Sequence, residues 1–245
     1  VAGSHVRLSI DKYAALKPAS DYRLVGSSRP RVDIPEKATG RWTYVHDVRV
    51  PGMLHGRVVR PPYAGFDHGD HVGNSLISID ETSIAHINGL VGVVALGDFV
   101  GVVATREENA IEAAKSLKVV WRAPPEWPDL NAPEKALRAN PSTARKLADL
   151  GNVDMALAGS AQPMNRTYVW PYQMHGSIGP SCAVADYSDA GLTVWSGTQN
   201  PFPMRRDLAL LLDMPEELIR VERLEAAGCY GRNCADDVTA DAALL

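Results

Sequence analysis

The strongest constraint on the fold is a strand, helix, strand pattern between residues 99 and 121. Residues 99–103 form the short apolar run of a buried strand, and Thr105-x-x-Glu108 matches the capping box that opens a helix. An apolar stripe at helical spacing follows, and residues 118–121 are again strand-like. The pattern predicts a helix packed on a sheet.

Short β-rich runs and helical segments alternate along the rest of the chain. We predict strands at residues 42–45, 53–59, 75–79, 91–94, 168–170, 183–185, 192–195 and 218–224. We predict helices at residues 133–139, 142–150, 151–159 and 204–212, and a last one from about residue 233. This mixture predicts an α+β fold. Proline-rich residues 123–128 interrupt it and favour a domain boundary near residue 123.

Composition excludes several functional classes. The net charge of −4 provides no basic field for a nucleic-acid backbone. No apolar run approaches the roughly 20 residues of a membrane-spanning helix, so we expect a soluble protein of the bacterial cytoplasm or periplasm. Three cysteines cannot supply the four thiolates of an iron–sulfur cluster. The chain begins without Met and stops within a predicted helix, which favours a shortened chain.

Two loops that follow predicted strands carry the chemistry. Gly228 and Gly231 lie between a strand and a helix and would let a ligand approach the backbone. Gln199 follows an earlier strand, and its amide could donate a hydrogen bond to a ligand oxygen. Taken singly, each also suits an ordinary turn or a loop-capping side chain.

Together these loops resemble the xanthine oxidase family of molybdenum hydroxylases. The resemblance rests on Ser196-Gly197-Thr198-Gln199-Asn200-Pro201 and, thirty-one positions from Gln199 to Tyr230, on Gly228-Cys229-Tyr230-Gly231-Arg232. Residues 170–175 and 235–237 are most similar to large subunits of the isoquinoline 1-oxidoreductase and nicotinate dehydrogenase type. Residues 31–40, 44–47 and 99–104 resemble the α/β hammerhead domain of this family.

The resemblance implies four segments. They are an N-terminal arm (1–28), a hammerhead domain (29–123), a helical connector (124–165) and the first part of a molybdopterin-binding domain (166–245). It also implies a molybdenum-pyranopterin cofactor, either as such or as the cytosine dinucleotide, lined by Gln199, Gly228, Cys229, Tyr230, Gly231 and Arg232. No metal–protein bond is required, and Gln199 would bond an apical oxygen of the cofactor.

The implied reaction is hydroxylation of an N-heteroaromatic ring carbon, with water as the oxygen source. Electrons would leave through [2Fe-2S] clusters on a small partner subunit. The family's glutamate base has no counterpart up to Leu245, so the chain alone is expected to be inactive without the remainder of the large subunit. An aldehyde-oxidising member of the family and a non-catalytic fragment or scaffold without cofactor remain open. The latter predicts an exposed apolar face around residues 208–212 and the last helix.

The loop departs from the family pattern, and other candidates are weaker. Ala227 and Cys229 replace family glycines, and Cys234 stands where purine hydroxylases carry a substrate-binding glutamate, which makes xanthine a poor substrate. Residues 67–71 have the residue types of a metal cluster but fit a solvated loop more simply. His175 fits a structural histidine better than a catalytic one.

Overall fold

The structure is a computed structural model that describes residues 9, 11–62, 73–123, 129, 131–171, 175–230 and 236–245. The described residues fall into two compact units, one within residues 1–42 and one within residues 43–245. The helices are α1 (Ile34–Ala38), α2 (Glu107–Ser116), α3 (Pro133–Ala139), α4 (Val153–Ala158), α5 (Pro201–Leu212) and α6 (Asp236–Leu244). The strands are β1 (His55–Val58), β2 (Leu76–Asp80), β3 (Leu90–Leu96), β4 (Phe99–Ala104), β5 (Lys118–Trp121), β6 (Ala183–Ser188), β7 (Gly191–Ser196) and β8 (Ile219–Arg223).

In the first unit, charged side chains surround the start of α1. Asp33 is buried and accepts hydrogen bonds from Arg31 Nε at 2.9 Å and Lys37 Nζ at 2.7 Å. These two cations hold the pKa of Asp33 well below its usual range. Lys37 Nζ also lies 5.0 Å from the centre of the Trp42 ring, a cation–π contact. The carboxylate therefore joins α1 to the residues before it.

The second unit begins with two antiparallel sheets, one ordered β1-β4-β3 and the other pairing β2 with β5. Val100 and Val102, on one face of β4, are both fully buried. Helix α2 presents Ala113 to the same core, and this small side chain allows close approach of the helix. Each fully buried valine contributes roughly 1.5–3 kcal/mol. The predicted strand, helix, strand pattern is confirmed.

Asp98, in the turn between β3 and β4, holds the start of β2. Its Oδ1 accepts hydrogen bonds from the backbone N–H groups of Ser75 at 2.7 Å and Leu76 at 3.0 Å. Burial raises the pKa of Asp98, but hydrogen bonds from Leu76 and Ser75 outweigh that effect and leave the pKa below its usual value. The ionised carboxylate thus stabilises this junction.

A third sheet, ordered β6-β7-β8, carries the C-terminal part of the chain. Strands β6 and β7 are antiparallel, whereas β7 and β8 are parallel and joined through α5. A crossover is required because parallel neighbours cannot be linked by a tight turn. Leu208 of α5 is fully buried against Val194 of β7 and Ile219 of β8.

Helix α6 packs on β6 and β7 and reaches the first sheet through Leu245. A Cβ atom on Gly56 of β1 or Gly101 of β4 would lie 2.4 or 2.5 Å from the Leu245 methyl groups. Arg60 Nη2 also donates to both carboxylate oxygens of Asp241, at 2.9 and 2.7 Å. The second unit is therefore continuous from β1 to α6.

The mixed helix and sheet prediction is confirmed, but four local predictions are wrong. Residues 42–45 do not form a strand, because residues 42–44 have no regular structure and Val45 begins a short 3-10 turn, Val45–Asp47. Residues 142–150 and 168–170 have no regular secondary structure. Thr105 does not cap α2, which begins at Glu107 after Arg106 without a side-chain cap. Thr105 Oγ1 instead lies against Gly89. Helix α6 begins at Asp236, and residues 233–235 lie outside the described residues.

Candidate functional site

The predicted site residues that the structure describes lie at the carboxyl ends of two neighbouring parallel strands. In the register of β7 and β8, Ser196 pairs with Arg223, so both strands end at the same edge. Gln199 follows β7, and Gly228 lies in the segment that follows β8. Ligands of α/β sheets bind in the crevice outside such an edge. The topology therefore brings together two loops that are thirty positions apart in sequence.

Gln199 and Cys229 are in direct contact. The Nε2 group of Gln199 donates a hydrogen bond to Cys229 Sγ at 3.1 Å. Gln199 is an exposed residue at this edge of the sheet. The carbonyl of Gly228 accepts a hydrogen bond from Ser177 Oγ at 3.2 Å, which fixes the second loop. Gly231 and Arg232 lie outside the described residues.

Small residues allow the segments around the site to approach the loop that follows β8. A Cβ atom on Gly197 would lie 2.5 Å from the Cβ of Ala226, and one on Gly179 would lie 2.9 Å from the Cβ of Ala227. Real Cβ atoms do not tolerate such distances, so both positions require glycine as the backbone now runs. The short side chains keep Gln199 and Cys229 within hydrogen-bonding distance.

Tyr230 adopts a conformation that side chains seldom adopt. Its φ is +47°, in the left-handed region, and its side chain is 62% exposed. Gly228, with φ of +113°, lies under the Tyr230 ring, where a Cβ would come within 2.8 Å of the ring. A left-handed non-glycine residue costs of order 1–3 kcal/mol and commonly marks a functional loop.

Three buried hydroxyl groups beneath the Gln199 loop were not predicted from the sequence. Ser196, Thr198 and Thr239 are all fully buried. Ser196 Oγ lies 2.5 Å from Thr239 Oγ1, and it accepts a hydrogen bond from the backbone N–H of Thr198 at 3.1 Å. The period of two along β7, which places Leu192, Val194 and Ser196 on the inner face, is the signal that could have found Ser196.

Two ionisable groups near this sheet have shifted pKa values. Burial raises the pKa of the Cys182 thiol, just before β6. Burial also raises the pKa of Asp241 on α6, although the nearby Arg60 guanidinium opposes the shift. Both shifts result mainly from desolvation, so they reflect the packing around the sheet more than the chemistry of the loops.

The other candidates do not join this site. His175 is exposed, while residues 67–71 and Cys234 lie outside the described residues. Among the residues that the structure describes, no three His, Cys, Asp or Glu side chains are grouped to hold a metal ion. A shallow groove of about 530 Å³ lies between α3 and Val169, and Gln199 does not line it. None of the described helices is long and apolar enough to cross a membrane.

Comparison with known proteins identifies the sequence family. Residues 137–245 match the family model of the molybdopterin cofactor-binding domain. A nicotinate dehydrogenase subunit of Pseudomonas putida is 59% identical, over 100% of this chain and 21% of that protein. The beta subunit of isoquinoline 1-oxidoreductase from Brevundimonas diminuta is 27% identical, over 94% of this chain and 30% of that protein. The chain thus spans less than a third of these relatives.

The fold comparison agrees with the sequence comparison. The crystal structure of quinoline 2-oxidoreductase from Pseudomonas putida 86 superposes with a TM-score of 0.63 at 22% identity, over 83% of this chain and 30% of that one. At this identity the likeness establishes the fold alone. Taken with the domain match and the relatives, it leads to one assignment: residues 137–245 are a molybdopterin cofactor-binding domain, and the chain is similar to part of the molybdenum-binding subunits of the xanthine oxidase family.

Proposed function

We propose that this chain is part of a molybdenum hydroxylase large subunit that hydroxylates an N-heteroaromatic ring carbon, with water as the oxygen source. One observation carries the proposal: the Gln199 amide and the Gly228 loop meet at the carboxyl edge of two parallel strands, inside the molybdopterin-domain match. The 59% identity to a nicotinate dehydrogenase favours a ring substrate of that type. Residues 29–123 would form the hammerhead domain and residues 166–245 the first part of the cofactor domain, linked by residues 124–165.

The groups at this edge fit a molybdenum-pyranopterin, with or without a cytosine dinucleotide. Such a cofactor needs hydrogen-bond donors for its oxygen and sulfur atoms and no protein ligand to the metal. The exposed Gln199 amide is such a donor, and its contact with Cys229 Sγ shows that it can bond a sulfur atom. Gln199 would donate a hydrogen bond to an oxygen atom of the cofactor, and the backbone of residues 228–232 would line the pterin. When bound, the cofactor supplies the two-electron oxidation chemistry.

This chain's own residues would bind and orient the cofactor. Electrons would pass to [2Fe-2S] clusters on a small partner subunit, and the proton-abstracting base would come from the remainder of the large subunit. A general base must lie within hydrogen-bond reach of the proton that it removes. An aldehyde substrate is the nearer alternative, since an aldehyde oxidoreductase molybdenum-binding subunit of Escherichia coli is 25% identical.

Exposed apolar side chains on α5 favour a second candidate, a partner-binding chain without cofactor. Phe202 and Leu210 are each 76% exposed and Leu211 is 47% exposed, whereas Leu208, which was expected on this exposed face, is fully buried. Exposed apolar residues grouped on one element mark an interaction surface. The two candidates differ in one property, because only the first requires molybdenum.

Elemental analysis separates these candidates. In the complete enzyme, Gln199→Ala should lower the rate of nicotinate-dependent dye reduction by about 10²–10³-fold, the usual effect of removing one aligned donor. Gln162→Ala is the matched control because Gln162 is an exposed glutamine outside the site. Wild-type enzyme without molybdenum, or equal rates for the two variants, would refute the proposal. Isoquinoline and an aldehyde, tested in parallel, distinguish the substrate classes.

A further inference from the structure

The backbone on both sides of Gln199 is anchored to buried hydroxyl groups. The N–H of Thr198 donates to Ser196 Oγ at 3.1 Å, and the N–H of Asn200 donates to Thr198 Oγ1 at 3.1 Å. Ser196 and Thr198 are both fully buried, yet Gln199 between Thr198 and Asn200 is exposed. Burying a hydroxyl group without a hydrogen-bond partner costs folding free energy. Conformations of the loop that break these bonds are therefore disfavoured.

Ser196 joins this loop to two other parts of the site. Its carbonyl accepts a hydrogen bond from the N–H of Leu224, at the end of β8, at 2.9 Å. Its Oγ lies 2.5 Å from Thr239 Oγ1, on the helix that follows the glycine loop. Both loops of the candidate site are therefore tied to one serine, although Thr239 is 43 positions away.

We infer that Ser196, Thr198 and Thr239 form a positioning network that sets the direction of the Gln199 amide. All three residues are fully buried, so the network does not itself reach the exposed edge where Gln199 lies. It acts through the backbone at Thr198 and keeps Gln199 Nε2 within 3.1 Å of Cys229 Sγ. The part of this inference that concerns cofactor binding rests on the proposed function.

Hydrogen exchange of single backbone amides tests the network. Thr239→Val removes the hydroxyl and keeps the shape, whereas Thr239→Ser keeps the hydroxyl. In Thr239→Val the amides of Thr198 and Asn200 should exchange about tenfold faster, while that of Val194 on the same sheet changes by less than about twofold. Thr239→Ser should restore the wild-type rates. Thr193→Val, on the same strand but only half-buried, is the matched control and should leave all three rates unchanged.

A merely structural role gives a different result. If Thr239→Val speeds exchange equally at all three amides, or at none, the network does not position Gln199 and the inference is overturned. Should Thr239→Val fail to fold, Ser196→Ala/Thr239→Val leaves neither hydroxyl of the pair unpartnered. That double variant should still show faster exchange at Thr198, because Ser196 was its acceptor, and an unchanged rate there overturns the inference.

Molybdenum content, measured on the complete wild-type enzyme, separates the two possible failures. Suppose the wild-type enzyme binds molybdenum, but Thr239→Val changes the exchange rates of the Val194, Thr198 and Asn200 amides equally. The network would then be overturned, and the proposed function would stand. If the wild-type enzyme lacks molybdenum, but only the Thr198 and Asn200 amides exchange faster in Thr239→Val, the proposed function is refuted. The network would still be supported as the set of residues that orders Gln199. Bound molybdenum with selective exchange supports both.

Discussion

Gly197→Ala should separate the two loops of the candidate site. The added Cβ would lie 2.5 Å from the Cβ of Ala226, and two methyl carbons pack at about 3.5–4.0 Å. The segments must therefore move apart by roughly 1–1.5 Å, since the Cβ of Ala226 is fixed to its backbone. Gln199 lies two residues beyond the substitution, and its 3.1 Å hydrogen bond to Cys229 Sγ would be lost after such a shift.

The expected effect on stability follows from the same contact. Overpacking of this kind costs about 1–3 kcal/mol. In a protein of this size each kcal/mol lowers Tm by about 2–4 °C, so Tm should fall by about 2–12 °C. Gly92→Ala is the matched control, because a Cβ there meets no atom within 4 Å and Gly92 is not in the left-handed region.

Differential scanning calorimetry of both glycine variants, with molybdenum analysis of the complete enzyme, checks the prediction. Gly197→Ala should melt at a lower temperature than wild type and bind less molybdenum, whereas Gly92→Ala should match wild type. If Gly197→Ala melts within about 1 °C of Gly92→Ala, the loops do not meet as described and the steric argument fails.

Further substitutions test the packing and the charges around the sheets. Leu208→Ala should cost about 2–5 kcal/mol in urea unfolding because Leu208 is fully buried, whereas Leu210→Ala, at a 76% exposed position, should cost less than about 0.5 kcal/mol. Asp98 has a lowered pKa, so its ionised carboxylate stabilises the folded state above its unfolded pKa of about 3.9. This contribution is lost as the pH falls through the lower folded pKa. In Asp98→Ala the midpoint of urea unfolding should therefore depend less on pH in this acid range. Burial raises the pKa of Asp241, so the protonated carboxyl group stabilises the folded state below the unfolded pKa, and this contribution is lost as the pH rises through the folded pKa. At pH about 7 the group is ionised, and the neutral side chain of Asp241→Asn should therefore raise Tm. Arg60→Ala should lower stability by on the order of 1–2 kcal/mol, because it leaves that half-buried carboxylate without its guanidinium partner.

The parts of the fold that were predicted from the sequence are those with local signals. Apolar residues between positions 183 and 223 recur at the strand period of two or at the helical period, and the structure has strand, strand, helix and strand there. The two wrong predictions nearby lack a surface to pack on. Leu147 and Leu150 are 80% and 86% exposed, so no core among the described residues buries the apolar side chains of residues 142–150. Tyr168 and Trp170 are β-formers, but they are 73% and 75% exposed and pair with none of the described strands.

The candidate site also has a part that the sequence predicts and a part that it does not. Gln199 and the glycine loop were predicted because each follows a strand and both resemble a family motif. The bond between Ser196 and Thr239 joins residues 43 positions apart. It depends on how α6 packs on β7, which no local pattern encodes. Buried serine and threonine on a strand's inner face are a signal of such a bond, but the partner is visible only in the folded chain.

Glycines on the facing segments leave room for the alanines of this loop. The Cβ of Ala227 lies where Gly179 leaves room, and Ala226 faces Gly197 in the same way. Cys229 brings a sulfur atom that accepts the Gln199 N–H at 3.1 Å. A glycine there would leave that amide without this acceptor. These small residues and Cys229 therefore act as one set with their facing partners, and Cys229→Gly would remove the sulfur atom that accepts the Gln199 N–H.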